Sequence, residues 1–496
     1  MLVRLEGNGA LHQRLYRGLR AAILEGRLPP SARLPSTRAL AREMRVSRNV
    51  VVDAFEQLSG EGYIEGRIGS GTYVAAMLPD TVASAHDRRP MPTRPTPTRR
   101  PAVQLSQHAR QILALQPLPA PGHPARRGLP YDFRYGQPAL EEFPHATWAE
   151  LVVRAARLMS MRTMTYGRVR GSLRLREAIV DYLRRARGVR AAVEQVVIVS
   201  GTQQALDLVA RMLLDRGDRV VVEEPCYQTA RQVFLGLGAQ LLATPVDADG
   251  LDVARLARDP PVRLAYVTPS HQFPLGGILP LDRRIELLRW SEHTGAYLIE
   301  DDYDGEFRYD APPIEALQGL DRAGRVLYVG SFSKVVFPSL RIAYLVVPEE
   351  LAPAATALKF LMDCATPSFE QEVLAEFIAE GHFERHLRRM RVLYAARRGV
   401  MLDALRHSFG DRIDVVGAEA GLHVVVFLRG VAPGAVGDLV ARAAAAGVGI
   451  YPLAPYYRDP PQRAGVILGY ASLGERDLRA GVHALAEISG LSAAHT

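Results

Sequence analysis

Several features are scarce in this chain of 496 residues, and each scarcity excludes a class of protein. The two cysteines, Cys226 and Cys364, are too few for a disulfide framework or a cysteine metal site. No apolar run reaches the roughly 18 residues that a membrane-spanning helix needs. The N-terminus lacks the apolar core and small-residue cleavage site of a signal peptide. We therefore expect a cytoplasmic protein with no membrane partner and no metal.

Lysine is also scarce: the chain has two lysines, Lys334 and Lys359, against 59 arginines. A lysine amine can lose its proton and attack an aldehyde, whereas the guanidinium of arginine stays protonated. A lysine retained in an arginine-rich chain therefore indicates Schiff-base chemistry. Lys359 lies in an amphipathic stretch and fits a simpler interpretation, a lysine with no special role. Lys334 has serines and an arginine as neighbours and is the better candidate.

Composition and periodicity divide the chain into three stretches, and its length predicts two or three domains. Residues 1–77 have the pattern of a small helical domain with a hairpin. Residues 78–130 contain eleven prolines and many arginines. This composition predicts an extended tether with at most a short helix near 105–115. Residues 131–496 alternate helical and strand patterns. The net charge of +8 permits a polyanionic partner.

The first stretch, residues 1–77, has the layout of a helix-turn-helix module. Apolar residues recur at helical spacing from Leu11 to Leu24, and Ser36 fits the N-cap of a second helix. A third helix begins at Ser47, Arg48 and Asn49, where arginine can read guanine and asparagine adenine. Residues 63–74 alternate around glycines, as in a hairpin. If the module binds DNA, the phosphates would be contacted by four arginines just upstream: Arg33, Arg38, Arg42 and Arg45. The alternative is that these arginines form an ordinary solvated helix face.

The order of the motifs favours DNA binding. The segments LPSTRALA (34–41), VSRNVVVDAF (46–55) and GSGTYV (69–74) together resemble the winged helix of GntR-type regulators. The resemblance implies DNA contacts from Arg38, Arg48 and Asn49, with Gly69 in the wing near the minor groove. Val52 stands where some relatives carry a further basic residue, so fewer side chains of this chain are expected to read DNA bases.

Five short apolar runs separate the helical patterns of residues 131–496, at 195–199, 219–223, 264–267, 296–300 and 326–329. Continuous apolar strands between helices predict an α/β fold with a mostly parallel sheet covered on both faces. Ligands bind beyond the carboxyl ends of the strands in such sheets. The residues with suggestive chemistry lie at these ends.

These strand ends suit a cofactor that carries a phosphate and an aldehyde. Ser331, Ser333 and Arg341 can donate to a phosphate, and residues 200–206 open a helix whose first amides can bind an anion. Asp301 ends a buried strand, where a carboxylate could keep a pyridine nitrogen protonated. Tyr303 and Tyr227 could contact the ring hydroxyl and the ring face. Taken singly, these features also fit a plain turn, an acidic loop, a divalent-metal site or core tyrosines.

Taken together, the motifs of residues 131–490 resemble the fold-type I aminotransferases, which use pyridoxal phosphate. The resemblance implies that Lys334 is the Schiff-base lysine, Asp301 contacts the ring nitrogen and Tyr303 the phenolic oxygen. It implies that Tyr227 covers the ring, and that the phosphate is bound by Gly201, Thr202, Gln203, Ser331 and Arg341. Tyr166 matches a tyrosine that reaches the neighbouring subunit's phosphate, which implies a homodimer. A small C-terminal α+β subdomain is expected as well.

Two positions depart from the aminotransferase pattern. The usual Asn-Pro-x-Gly element is Phe273-Pro274-Leu275-Gly276, so the asparagine beside the cofactor ring is missing. Relatives carry an arginine for the substrate carboxylate at the position of Ile467, and an aliphatic side chain cannot bind a carboxylate. Thr229 stands where the γ-aminobutyrate-sensing members carry a second arginine. An arginine from a loop, Arg168, Arg170 or Arg231, could restore a carboxylate site.

A winged helix, a proline-rich tether and an aminotransferase-like domain, in this order, resemble the MocR (GabR-like) transcription regulators. The implied function is control of operator DNA binding by pyridoxal phosphate or by its adduct with a small amine, with vitamin B6 genes as candidate targets. Two alternatives stay open: a working aminotransferase with an accessory DNA-binding module, and a regulator that keeps a cofactor-free enzyme fold as a scaffold. Lys334 and Asp301 argue against the scaffold, and Ile467 argues against the enzyme.

Overall fold

The computed structural model describes residue 5 and residues 8–67, 69–79, 104–115, 128–159, 164–256, 261–310 and 314–493. The chain forms two compact units, Met1–Gln104 and Leu105–Thr496. Most of the stretch predicted to be a tether, residues 80–103 and 116–127, lies outside the described residues. The boundaries of the three predicted stretches therefore stay predictions.

The first unit is a three-helix module with a hairpin, as the sequence predicts. Its elements are α1 (Leu11–Leu24), α2 (Thr37–Met44), α3 (Arg48–Gly60), β1 (Ile64–Arg67) and β2 (Gly71–Val74). The hydroxyl of Ser36 accepts the amide of Ala39 at 3.2 Å, and that of Ser47 accepts the amide of Val50 at 3.4 Å, so both serines are N-caps. Leu15, Leu58 and Val74 are fully buried in the small core between the helices and the hairpin.

The second unit begins with a short helix and a strand, and then alternates strands with helices. Its helices are α4 (Gln107–Ala114), α5 (His145–Arg157), α6 (Leu173–Arg187), α7 (Thr202–Leu213), α8 (Gln228–Gly236), α9 (Leu281–Thr294), α10 (Leu317–Leu320), α11 (Ala352–Asp363), α12 (Phe369–Ala379), α13 (His382–Phe409), α14 (Val436–Ala445) and α15 (Glu475–Ser489). Its strands are β3 (Tyr131–Asp132), β4 (Val196–Val199), β5 (Arg219–Glu224), β6 (Gln240–Asp247), β7 (Gly250–Leu251), β8 (Leu264–Val267), β9 (Tyr297–Asp302), β10 (Val326–Ser331), β11 (Ala343–Val346), β12 (Ile413–Val416), β13 (His423–Leu428), β14 (Val448–Gly449), β15 (Tyr451–Pro452) and β16 (Gly465–Gly469).

The central sheet has eight strands in the order β4-β11-β10-β9-β8-β5-β6-β7. The pairs from β10 through β9, β8 and β5 to β6 are parallel, while β11 runs antiparallel to β10 and to β4. All five strands expected from the sequence are present, and the prediction of a mostly parallel sheet is confirmed. Every residue of β4, β8 and β10 is buried, which is why these strands lack polar alternation.

A second sheet forms the expected C-terminal subdomain. Its four strands pair antiparallel in the order β12-β13-β16-β15, and the two short strands β14 and β3 pair parallel. The long helix α13 and the C-terminal helix α15 pack against each other beside it. The residue of most interest here is Ile467 on β16, opposite Val425 of β13 and Tyr451 of β15.

The helix α4 confirms the short helix expected near 105–115. It packs on the end of α8, where Nδ1 of His108 lies 2.7 Å from the Gly236 carbonyl oxygen and the Gln111 amide donates to the Leu235 carbonyl. In return, Gln232 donates to the Leu115 carbonyl at 3.2 Å. This part of the predicted tether is therefore attached to the second unit.

No helix in the part of the chain that the structure describes is long and apolar enough to cross a membrane.

Candidate functional site

The predicted cofactor residues lie at one edge of the central sheet. Strands β10, β9, β8 and β5 are parallel and end at this edge, and β4 runs in the same direction. Residues 201–203 follow β4, Tyr227 follows β5, Asp301 lies near the end of β9, and residues 331–334 lie at and beyond the end of β10. Arg341 joins them just before the antiparallel strand β11 begins at this edge. Segments far apart in the chain thus meet at the ends of neighbouring strands.

Lys334 is half-buried, and its amine donates to the backbone carbonyl of Gly136 at 2.6 Å. Burial lowers the pKa of Lys334, and the nearby guanidinium of Arg341 lowers it further. The carboxylates of Asp304 and Asp301 oppose this effect without cancelling it. A lysine with a lowered pKa supplies more of the neutral amine, which is the form that attacks an aldehyde.

Asp301 is buried, and the two oxygens of its carboxyl group have different surroundings. Oδ2 accepts a hydrogen bond from the hydroxyl of Tyr266 at 2.8 Å. Oδ1 is buried and has no hydrogen-bond partner among the described residues. Burial raises the pKa of Asp301 to about 7, although the Tyr266 hydrogen bond lowers it. An unpartnered oxygen with this pKa is suited to share a proton with a ring nitrogen.

The turn from Ser200 to Thr202 is the candidate anion site. Gly201 is the N-cap of α7 with φ of +110°, so the first amides of the helix are free to bind an anion. The guanidinium of Arg341 donates to the Ser200 carbonyl at 2.7 Å, and a Cβ at Gly201 would collide with it. Thr202 and Gln203 form the first turn of α7. On the facing loop, the hydroxyl of Ser331 accepts the Ser333 amide at 3.2 Å.

A buried polar network supports this turn from below. The side chain of Gln204 accepts the Ser200 amide at 2.7 Å and donates to Asp363 at 2.8 Å. The amine of Lys359 donates to the same carboxylate at 2.7 Å and to Thr366 at 2.9 Å. Lys359 is fully buried, so the expectation that it has no special role was wrong: its amine neutralises Asp363 inside the protein.

The pocket wall at the two departures from the aminotransferase pattern is aromatic and apolar. The ring of Phe273 meets those of Tyr303 and Tyr227 edge-on, at 5.8 and 5.9 Å between centroids. Ile467 is fully buried in the same apolar cluster, together with Tyr456. This cluster of described residues therefore carries no positive charge at the position where relatives have an arginine.

Two of the three loop arginines are engaged with other protein groups. Arg231 donates to the backbone carbonyls of Tyr456 and Pro455 at 3.1 and 3.0 Å. Arg170 donates to Thr356 and to the Glu194 carbonyl, and Arg168 is exposed. Thr229 is half-buried in the first turn of α8.

Behind Tyr303 lies a cluster that the sequence did not reveal. His271, Asp304 and His423 are buried, and their donor atoms lie within 4.8 Å of one another, close enough for a metal. Nδ1 of His271, however, is hydrogen-bonded to Asp304 at 3.0 Å and to the Tyr303 hydroxyl at 2.8 Å. Nε2 of His423 lies 2.9 Å from the Pro274 carbonyl oxygen. His271 is thus hydrogen-bonded to Asp304 and Tyr303, whereas His423 contacts a backbone carbonyl.

In the first unit, the predicted DNA-contacting residues are exposed at the starts of α2 and α3 and on the hairpin. Arg38, Arg48 and Asn49 are exposed, and Gly69 has φ of +74° at the tip of the wing. Ser47 caps α3, which leaves its hydroxyl engaged with the Val50 amide. Arg33 is exposed and lies against Gly71 of the wing. These DNA contacts stay predictions.

Three residues of the site were missed from the sequence: Tyr266, His271 and Gly136. Tyr266 is a buried residue of β8, in a run that the sequence shows only as apolar. His271 stands two residues before Phe273, in the segment 268–274, which resembles the MocR version of this motif and lacks the usual asparagine, but the sequence predicted no role for His271 itself. The Gly136 carbonyl reaches Lys334 from 198 residues away in the sequence, and nothing in the local sequence signals that contact.

The comparisons with known proteins agree with this architecture. The model of bacterial regulatory proteins of the gntR family matches residues 11–74, and that of aminotransferase class I and II matches residues 132–455. Among solved structures, the chain is similar to LysN, the α-aminoadipate aminotransferase of Thermus thermophilus. The identity is 30% and the TM-score 0.70, over 78% of this chain and 97% of that one. Kynurenine aminotransferase of Pyrococcus horikoshii matches at 28% identity and a TM-score of 0.68, over 78% of this chain and 94% of the other. The fold and the site define a winged-helix DNA-binding domain joined to an aminotransferase-type domain.

The relatives narrow this class further. The "Probable rhizopine catabolism regulatory protein MocR" of Rhizobium meliloti is 41% identical over 96% of this chain and 93% of its own length. The pyridoxine biosynthesis transcriptional regulator PdxR of Corynebacterium glutamicum is 32% identical over 95% of this chain and 93% of its own length. The chain belongs to the MocR-type family of HTH transcription regulators.

Gly201→Ala should weaken the binding of pyridoxal phosphate by at least about tenfold, because the new Cβ displaces the guanidinium of Arg341 and costs a charge-assisted hydrogen bond. Gly217→Ala is the matched control. It also has a positive φ, +95°, but a Cβ there meets nothing within 4 Å. Titration of both variants with pyridoxal phosphate measures the effect. Equal affinities in the two variants would show that the turn at Gly201 does not bind the phosphate.

Arg48→Ala should lower operator affinity by about 1–3 kcal/mol and relax the sequence preference, if Arg48 reads a base. If it contacts a phosphate instead, binding to all sequences should weaken alike and the salt slope should fall by about one. Arg27→Ala is the control, since Arg27 is paired with Glu25 at 2.7 Å. Electrophoretic mobility shifts at several salt concentrations distinguish the cases. Unchanged binding to every DNA would exclude α3 as the recognition helix.

Proposed function

We propose that this protein is a transcription regulator in which pyridoxal phosphate, bound to Lys334, controls the affinity of the winged helix for operator DNA. The observation that carries the proposal is the pairing of a lysine of lowered pKa with the unpartnered, buried Oδ1 of Asp301 at one sheet edge. Asp301 has no cation and no backbone amide as a hydrogen-bond partner among the described residues, so the nitrogen of a bound ring would complete its surroundings. Similarity to pyridoxal-phosphate aminotransferases supports the same cofactor.

The residues of the site fit pyridoxal phosphate. When bound, the cofactor supplies an aldehyde and an electron-withdrawing pyridinium ring. Lys334 would hold it covalently, and Asp301 would hold a proton at its ring nitrogen. Tyr303 would donate to the ring oxygen, and Tyr227 would stack on the ring. The phosphate would be bound by Gly201, Thr202, Gln203, Ser331, Ser333 and Arg341.

A homodimer is part of this proposal. Tyr166 is 91% exposed, as expected of a side chain that serves the neighbouring subunit's phosphate. Large apolar side chains of the second unit are also exposed, among them Leu158 at 74% and Leu361 at 79%. Exposed apolar groups of this size are typical of a subunit interface. A ligand can then regulate DNA binding only if it favours one arrangement of the two DNA-binding domains over another.

The aminotransferase alternative is weaker on the geometry of the pocket. A transaminase must bind a substrate carboxylate, and Ile467 and Phe273 leave an apolar wall where the arginine and the asparagine would be. An unpaired carboxylate in such a wall costs on the order of several kcal/mol. We therefore propose that the second unit is a sensor and not a physiological enzyme.

The apolar wall also bears on which small molecule is the signal. The names of the relatives point to rhizopine catabolism and to pyridoxine biosynthesis, so membership of the family does not by itself identify the signal. A pocket without a carboxylate partner favours pyridoxal phosphate itself, with vitamin B6 metabolism as the regulated process. An adduct with a small amine that lacks a carboxylate is the second candidate. The protein would act in the cytoplasm.

The proposal predicts that the purified protein with pyridoxal phosphate has a visible absorbance band, and that Lys334→Ala and Lys334→Arg both lose it. Arginine fails because its guanidinium is no nucleophile at neutral pH. Gly217→Ala, which lies away from the site, is the control and should keep the band. Borohydride reduction followed by peptide mapping should locate the cofactor on Lys334. A footprint upstream of its own gene, with and without cofactor, tests regulation. A normal band in Lys334→Ala, or identical footprints, would refute the proposal.

A second prediction concerns the effector. Titration of the cofactor-bound protein with γ-aminobutyrate, taurine and the common amino acids should leave both the absorbance band and DNA binding unchanged below millimolar concentrations. Ile467→Arg should gain a response to carboxylates, because it supplies the missing charge, whereas Ile467→Leu should not. A sub-millimolar response of the unaltered protein to any of these compounds would contradict the cofactor-only signal.

A further inference from the structure

The hydroxyl of Tyr303 contacts the buried side chain of His271, which in turn contacts the carboxyl group of Asp304. His271, in the loop after β8, places Nδ1 at 2.8 Å from the Tyr303 oxygen. The same nitrogen lies 3.0 and 3.2 Å from the two oxygens of Asp304, which follows Tyr303 after β9. His271 and Asp304 are 1% exposed. Tyr303, His271 and Asp304 thus form one chain of hydrogen bonds that ends in a carboxylate.

The position of the proton in this chain follows from the donors and acceptors. An ionised carboxylate only accepts hydrogen bonds, so Nδ1 must carry a proton to face Asp304. Burial lowers the pKa of His271, but the charge and hydrogen bond of Asp304, with the Gly417 backbone, raise it overall. Burial raises the pKa of Asp304, and His271 lowers it. Both shifts keep a proton within the pair, and we assign it to Nδ1 of His271, the nitrogen that faces both Asp304 and Tyr303.

A protonated Nδ1 turns the Tyr303 oxygen into an acceptor on that side. The tyrosine's own proton must then point elsewhere, because it cannot donate to an N–H group. The space around His271 is shaped for this arrangement: a Cβ at Gly421, which has φ of +75°, would collide with the imidazole and with Asp304. The ring of Tyr303 also meets that of Phe273, the residue in place of the usual asparagine, edge-on at 5.8 Å between centroids.

We propose that His271 and Asp304 are positioning residues that direct the hydroxyl proton of Tyr303 toward the ring oxygen of pyridoxal phosphate. Through Tyr303 they orient a hydrogen bond at the ring oxygen, beside which the usual asparagine is missing. The inference rests on the proposed binding of the cofactor at Lys334. It adds that the ring oxygen is tuned through Tyr303 by a buried histidine and carboxylate.

The measurable consequence is a pH midpoint. A donor favours a more negative acceptor, so Tyr303 lowers the pH at which the bound cofactor loses its proton and its absorbance changes. Carboxylates face Tyr303 and His271 from β5 (Glu223), from β9 (Asp301 and Asp302) and from the loop before β13 (Glu419). Lys334, Arg341 and His423 are the facing basic groups, and burial lowers the pKa of His423 to about 3, so its ring is neutral. All of these groups are kept in the variants below, so their effect cancels in the comparison.

The test measures the visible absorbance of the cofactor-bound full-length protein as a function of pH. His271→Phe and Tyr303→Phe should each raise the midpoint by about 1–2 pH units, the shift expected from losing one hydrogen bond to a charged group. The double variant should show the same shift as Tyr303→Phe, because His271 acts through Tyr303. His108→Phe is the matched control: Nδ1 of His108 lies 2.7 Å from the Gly236 carbonyl oxygen at the far end of α8, outside the site, and its loss should leave the midpoint unchanged.

Asp304→Asn is the second variant if His271→Phe does not fold. It removes the charge that keeps the proton on Nδ1 and should shift the midpoint in the same direction by a smaller amount. An unshifted midpoint in His271→Phe or Asp304→Asn, an unshifted midpoint in Tyr303→Phe, or additive shifts in the double variant would overturn the inference while leaving the proposed function intact. If the unaltered protein has no visible band with pyridoxal phosphate, the proposed function fails instead.

Discussion

The parallel pairing of β10, β9, β8 and β5 is the constraint on which the site depends. Parallel strands all end at the same edge, and a short strand has only one or two residues there. The pairing of Val329 with Asp301, and of Val267 with Glu300, sets how far each strand extends toward the pocket. These registers bring together the Lys334 loop, the Asp301 carboxyl group, His271 and Tyr227, although more than a hundred residues separate Tyr227 from Lys334.

Burial of charge is the second organising force. The run from Glu300 to Asp304 places four carboxyl groups inside the protein, and three of them have structural partners. Glu300 accepts the Leu317 and Gln318 amides, Asp302 pairs with Arg187 at 2.7 Å, and Asp304 bonds His271. Asp301 alone of the four has neither a cation, a histidine nor a backbone amide as a hydrogen-bond partner among the described residues, and its one donor is the hydroxyl of Tyr266. Because a buried carboxylate without a cation is costly, this position is the one suited to a bound ring.

The MocR-type arrangement combines two domains with different chemical requirements in one chain. The winged helix needs exposed arginines, and the pocket needs buried groups whose charges are balanced. The composition meets both requirements. Arginine occurs on exposed faces and in buried pairs such as Arg187 with Asp302. The two lysines are buried or half-buried. Lys359 stabilises Asp363 beneath the anion-binding turn, which links the second lysine to the same site as the first. Both lysines of the chain thus contribute to the same site, whereas the sequence predicted this for Lys334 only.

The sequence by itself determined the winged helix, the order of strands and helices, the parallel sheet and the family. These follow from local rules, because hydrophobic period, N-caps and glycine turns are written in neighbouring residues. It also pointed to Lys334 and Asp301, since their chemistry is distinctive. Only the tertiary structure decided the role of His271, the partner of Asp301 and the task of Lys359. The first two contacts join residues 32 and 35 positions apart and depend on strand register. Lys359 and Asp363 are four residues apart in one helix, and the fold decides only that the pair is linked through Gln204 to the Ser200 turn. Local sequence carries no record of register, which is fixed only when the whole sheet packs.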